Sequence, residues 1–113
     1  GWSGRIEAIN SAETLATLPT ADRLRGLDVL DADGAVVHHI PAAPGKMGSL
    51  RIYHALAQAF DGQLSAAAIA QGLEWFAEHV AEARAHPGSH PNIELLLAQR
   101  AAPQGWRLVP LPA

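Results

Sequence analysis

Leu24-Arg25-Gly26-Leu27-Asp28-Val29-Leu30, Asp31-Ala32-Asp33-Gly34 and Ala35-Val36-Val37-His38-His39-Ile40 form the stretch on which the fold turns. Two extended, apolar-rich runs flank acidic residues and a glycine, the composition of a tight turn in which Gly34 takes positive φ. The reading is a β-hairpin. Alternation sends Leu27 and Val29 toward a core and Asp28 to the opposite face. In the second run Val36, His38 and Ile40 share one face, Val37 and His39 the other. Both faces are mixed, so the pattern does not say which histidine is buried. Pro41 ends the strand because it has no N–H for a ladder.

Upstream, residues 1–9 carry no decisive pattern. Asn10-Ser11-Ala12-Glu13 reads as the start of a helix of one or two turns, capped by Asn10 and ended by Pro19. Downstream, Ala42–Gly48 is a loop. Ser49 is placed to cap a helix that runs to about Phe60, with Ile52, Tyr53, Leu56 and Phe60 as its core stripe and Asp61-Gly62 as its stop. The spacing of Ile69, Leu73, Phe76, Val80 and Ala83 predicts one long helix from Leu64 to about Ala85. Its many alanines allow close helix–helix approach. Pro87-Gly88 ends it, His90-Pro91-Asn92 opens another helix to about Ala101, and Trp106–Val109 reads as a last strand. The expected fold is α+β. A three-stranded antiparallel sheet, the hairpin plus the C-terminal strand, carries three main helices on one face. Residues 1–113 are expected to form a single domain, with 1–10 as a loosely ordered arm.

Composition narrows the functional classes. Eight Lys+Arg against eleven Asp+Glu give a formal charge of −3, which offers no basic footprint for nucleic acid or an anionic membrane. Hydrophobic residues make up 49%, enough for a packed core rather than a disordered chain. The absence of cysteine excludes disulfides and thiolate metal sites. No apolar run reaches the length of a spanning helix and no signal peptide is legible, so a cytoplasmic protein is the expectation.

Leu27–Gly34, Pro44-Gly45-Lys46-Met47-Gly48-Ser49-Leu50 with Tyr53-His54-Ala55-Leu56-Ala57, Gly72-Leu73 with Phe76-Ala77-Glu78-His79, and Ala83-Arg84-Ala85-His86-Pro87-Gly88 with His90-Pro91-Asn92-Ile93 together resemble a small bacterial family of the proteobacterial type. The family is catalogued as a domain of unknown function. The likeness covers roughly residues 14–109. It implies a stand-alone bacterial cytosolic protein of about this length, and it carries over no reaction, ligand or catalytic residue.

Three constellations remain. The first is the loop-to-helix corner Pro44–His54. Two glycines and Lys46 precede a helix start, and the free N–H groups of a first helical turn favour anions. Lys46, Gly48, Ser49, Arg51 and His54 are the candidate ligand-binding residues, for a small anionic ligand. The order Gly-Lys-Met-Gly-Ser is not a phosphate loop of the Gly-Lys-Ser/Thr kind, and a plain strand-to-helix connection outweighs the anion site. The second is histidine, six in 113 residues. His79, Glu82 and His86 share a side of the long helix, but i to i+7 spans about 10 Å, too far for one ion. His79 with Glu82, or Glu82 with His86, is feasible only with a third ligand from His54, His90 or the hairpin. A solvated face outweighs this, so no metal site is assigned and no cofactor is named.

The third is His86-Pro87-Gly88-Ser89-His90, which can aim His86 and His90 into a cleft or simply stiffen an interhelical turn. Ser49, Ser65 and Ser89 lie in no nucleophile elbow. The leading function is therefore a non-enzymatic binding or regulatory module. A small His-based or metal-assisted enzyme using His54 with His86 or His90 is the alternative. A homodimer meeting through the Trp75 flank or a sheet edge is the third reading.

Overall fold

The computed structural model describes Leu18 and residues 23–113. The helix expected from Asn10 lies outside the described residues. In chain order the elements are β1 (Leu24–Leu30), β2 (Val36–Pro41), α1 (Met47–Ala59), α2 (Ala66–Phe76), α3 (His79–Ala85), α4 (Pro91–Ala101) and β3 (Arg107–Pro112).

The hairpin forms as its sequence dictates. Asp31 organises the turn, its Oδ1 accepting from the N–H groups of Asp33 (2.9 Å) and Ala35 (3.0 Å). Gly34 stands at φ 89°, a conformation that strongly favours glycine. The sheet order is β2-β1-β3, all antiparallel, with Leu27 opposite Ile40 and Val29 opposite Leu108. Those four side chains are buried and build the sheet's contribution to the core. Asp28 and His39, paired across the strands on the other face, join through Asp28 Oδ1 and His39 Nδ1 at 2.7 Å. His38 is the half-buried histidine of the pair and His39 the exposed one.

Helix α1 lies on the sheet, α2 packs against α1 and α4, and α3 packs against α4. Leu50, Ile52, Tyr53 and Leu56 of α1 are buried together with Ile69 and Leu73 of α2 and Ile93 and Leu96 of α4. Asp61 (φ 57°) and Gly62 (φ 78°) then turn the chain out of α1 where the sequence places its stop. Trp106 and Trp75 pack partly buried against the core, and Leu108 is buried. Half-burial leaves Trp75 only a partial candidate for the contact flank expected of it.

Two expectations need correction. The stretch 64–85 is two helices, broken at Ala77, which takes φ 52° and ψ −122°. The apolar stripe survives the break, since Ile69, Leu73, Phe76 and Ala83 are buried and Val80 is half-buried, so periodicity across it is preserved while the axis changes. Ser49 does not cap α1. The helix begins at Met47, with Lys46 at the N-cap and no side chain capping it. No helix among the described residues is long and apolar enough to cross a membrane.

Candidate functional site

The helices position a cleft of about 210 Å³ where α1 and α4 both begin and α2 passes into α3. Gly45, Lys46, Gly48 and Ser49 form one wall, and Ser89, His90, Pro91 and Asn92 form the other. Ile52, Phe76 and Ile93, all buried core residues, line its apolar side, and His79 stands at the start of α3. The approach to α1 turns on Gly45 at φ 84°, which lets the chain enter the helix directly beside the cleft.

The two helix starts differ electrostatically. The first turn of α4 contains Glu94, whose Oε2 accepts from Gly88 N–H at 2.7 Å. The first turn of α1 has no acidic residue and no side-chain cap. Its leading N–H groups, at Met47, Gly48 and Ser49, therefore keep the partial positive charge of an uncapped helix start. Lys46, exposed at the N-cap, adds a full charge beside them.

Across the cleft, α3 and the start of α4 hold three polar side chains together. Glu82 Oε1 accepts from His79 Nδ1 at 2.8 Å and from His90 Nε2 at 3.2 Å. The two imidazole rings lie 5.7 Å apart, centroid to centroid. One ligand atom from each of the three residues falls within 4.8 Å of the others. The hydrogen bond from His79 holds the Glu82 carboxyl below its ordinary range, against an opposing push from desolvation, and His90 adds to the lowering. The other nitrogen of His79, Nε2, stands 3.8 Å from Glu78 Oε2.

Within this wall, Asn92 is buried and tied to two other elements. His38 Nε2 of β2 bonds Asn92 Oδ1 at 2.6 Å, and Tyr53 Oη of α1 donates to the Asn92 carbonyl at 2.5 Å. These bonds fix the start of α4, and with it His90, against the sheet and α1.

Of the residues the sequence singles out, the structure gathers Lys46, Gly48, Ser49 and His90 at the cleft. Arg51 and His54 do not line it. Arg51 is half-buried and its Nη2 donates to the Leu18 carbonyl at 3.1 Å, while His54 Nε2 lies 3.3 Å from Gln58 Nε2. His86 ends α3 as an exposed residue, and its carbonyl accepts from Ser89 Oγ at 2.6 Å. The pairing of His54 with His86 or His90 is thus not assembled around the cleft. What sequence reasoning set aside is the set His79, Glu82 and His90. The His79–Glu82 spacing was visible, but the third partner arrives from eight residues beyond Glu82, across a turn whose path spacing does not give. Nothing in the sequence links His38 to Asn92.

The sequence model of a family described as "uncharacterized protein conserved in bacteria (DUF2322)" matches residues 11–108. The chain belongs to this bacterial family. No curated protein and no solved structure matches it. The cleft residues Gly45–Ser49 and His79–Ile93 all lie inside the matched span.

Proposed function

We propose that this family member is a binding module for a small anionic ligand, seated in the cleft against the start of α1. The observation that carries the reading is the uncapped first turn of α1, with Lys46 at its N-cap, opening onto the cleft. Glycine at position 48 keeps side-chain bulk away from the N–H groups, and Ser49 adds a hydroxyl that can donate. Size limits the ligand class. At about 210 Å³ the cleft is below the range of roughly 300–1,000 Å³ typical of drug-sized ligands. A phosphate, a sulfate or a small carboxylate fits that volume, with Ile52, Phe76 and Ile93 offering apolar contact to a short carbon skeleton.

The test is a titration of the full chain with inorganic phosphate, then with small dicarboxylates, followed by amide NMR. The expected result is saturable shifts at Gly48 and Ser49, weakened about tenfold by Lys46→Ala, equivalent to about 1.4 kcal/mol. Shifts that spare positions 47–49, or an affinity that Lys46→Ala leaves unchanged, would overturn the reading.

A further inference from the structure

The wall of the cleft opposite Lys46 carries a different chemistry from the anion pocket. Two imidazoles and a carboxylate converge there from separate helices. His79 and Glu82 sit one turn apart on α3, and His90 is the N-cap of α4. We infer that His79, Glu82 and His90 bind a divalent transition-metal ion of the zinc class, with an open coordination position on the cleft side.

The donor set selects the ion. Two neutral imidazole nitrogens with one carboxylate suit zinc and its first-row neighbours, whereas calcium and magnesium take oxygen ligands. Spacing agrees. In a tetrahedral site with bonds of about 2.0–2.1 Å, neighbouring ligand atoms stand about 3.3 Å apart. The observed Nδ1(His79)–Oε1(Glu82) and Nε2(His90)–Oε1(Glu82) separations are 2.8 and 3.2 Å, and no pair of ligand atoms exceeds 4.8 Å. Side chains that are a third to a half exposed, at 38%, 49% and 33%, can close the remaining gap by small rotations.

The three groups are also supported from behind. Glu78 Oε2, 3.8 Å from His79 Nε2, is placed to orient that ring once Nδ1 turns to a metal, as carboxylates do behind many metal-bound histidines. The Asn92 bonds to His38 and Tyr53 hold the start of α4, and so the backbone of His90, in place. Three protein ligands leave a fourth position for water or ligand. His79 and His90 line the cleft while Glu82 stands outside its lining, which turns that position toward the cleft.

The metal site does not depend on the anion reading, because it shares none of the residues 45–49. In the test, the full chain is stripped with a chelator, desalted, and titrated calorimetrically with zinc chloride in phosphate-free buffer. The expected result is one ion per chain. His79→Ala, Glu82→Gln and His90→Ala should each weaken binding tenfold or more, whereas His39→Ala and His86→Ala should leave it at the wild-type value. Circular dichroism checks that each variant is folded. Cobalt(II) supplies a second readout, since tetrahedral coordination gives intense visible d–d bands that the His90→Ala chain should lack. No stoichiometric binding, or equal loss on replacing His39 or His86, would overturn the assignment. Phosphate binding that survives such a result would leave the anion reading standing.

Discussion

Tyr53 is fully buried, and its hydroxyl donates to the Asn92 carbonyl at 2.5 Å. Asn92 in turn bonds His38 through its side chain, so one buried phenol helps to join α1, α4 and β2. A hydrogen bond of this kind contributes about 1 kcal/mol net, and Tyr53→Phe removes it without opening a cavity. Burial also pushes the Tyr53 phenol well above its ordinary value, because the phenolate is poorly solvated inside the core. The pH dependence follows from the sign of that shift. A group whose folded pKa is raised contributes stability that is complete below its unfolded pKa, about 10 for tyrosine, and lost as pH rises toward the folded value. At pH 11 the wild-type chain should therefore have lost about 1.4 kcal/mol through this residue. Urea unfolding from pH 8 to 11 checks it. Tyr53→Phe should start about 1 kcal/mol less stable at pH 8 and draw level with the wild type between about pH 10 and 11. Parallel curves would show that the tyrosine is solvated or that its bond is not formed.

Between α2 and α3 the chain turns at Ala77, and the turn sets where His79 stands. No glycine or proline marks the position, so the stripe from Ile69 to Ala83 reads as one uninterrupted helix from its period alone. Hydrophobic periodicity reports which residues are buried and is blind to a change of axis that keeps them buried. The hairpin, in contrast, was legible because its turn chemistry is local, with Asp31 and Gly34 supplying both the bonds and the backbone angle. A serine near a helix start is a common capping signal, but Ser49 lies inside α1 and Lys46 holds the N-cap without side-chain capping. Ala77 at φ 52° and ψ −122° pays a backbone penalty of about 1–3 kcal/mol that glycine would not. The flexibility of glycine in the unfolded chain returns about 0.4–1 kcal/mol of that. Ala77→Gly should thus stabilise the protein by about 0.5–1 kcal/mol and raise its Tm by a few degrees in calorimetry. A fall in Tm would mean that the helix continues through Ala77.

At the scale of the whole molecule, the cleft exists because two helices distant in sequence start at the same place. Nothing in the local sequence at 44–49 or 88–93 announces the other, so the separate candidates at Lys46 and His90 were legible and their meeting was not. The meeting is set by how α1 and α4 pack through α2, and Gly72 lies close against both. A Cβ added there would lie 2.9 Å from Leu56 Cδ1 of α1 and 2.9 Å from Leu96 Cδ1 of α4, both closer than carbon atoms pack. Leu56 and Leu96 are completely buried, which leaves neither much room to withdraw. The alanines around it permit proximity, but Gly72 fixes the distance. Gly72→Ala would offset the clash with a helix-propensity gain of up to about 1 kcal/mol. Gly72→Val adds two more methyl groups and loses most of that gain, so it should destabilise the fold by about 1–3 kcal/mol or more. Chemical denaturation measures the loss. Because Gly72 touches both helices that wall the cleft and lines none of it, the folded Gly72→Val chain should also show amide shifts at positions 47–49 and 92–93. Those positions remaining unshifted in a destabilised variant would mean that the spacing of α1 and α4 is set elsewhere.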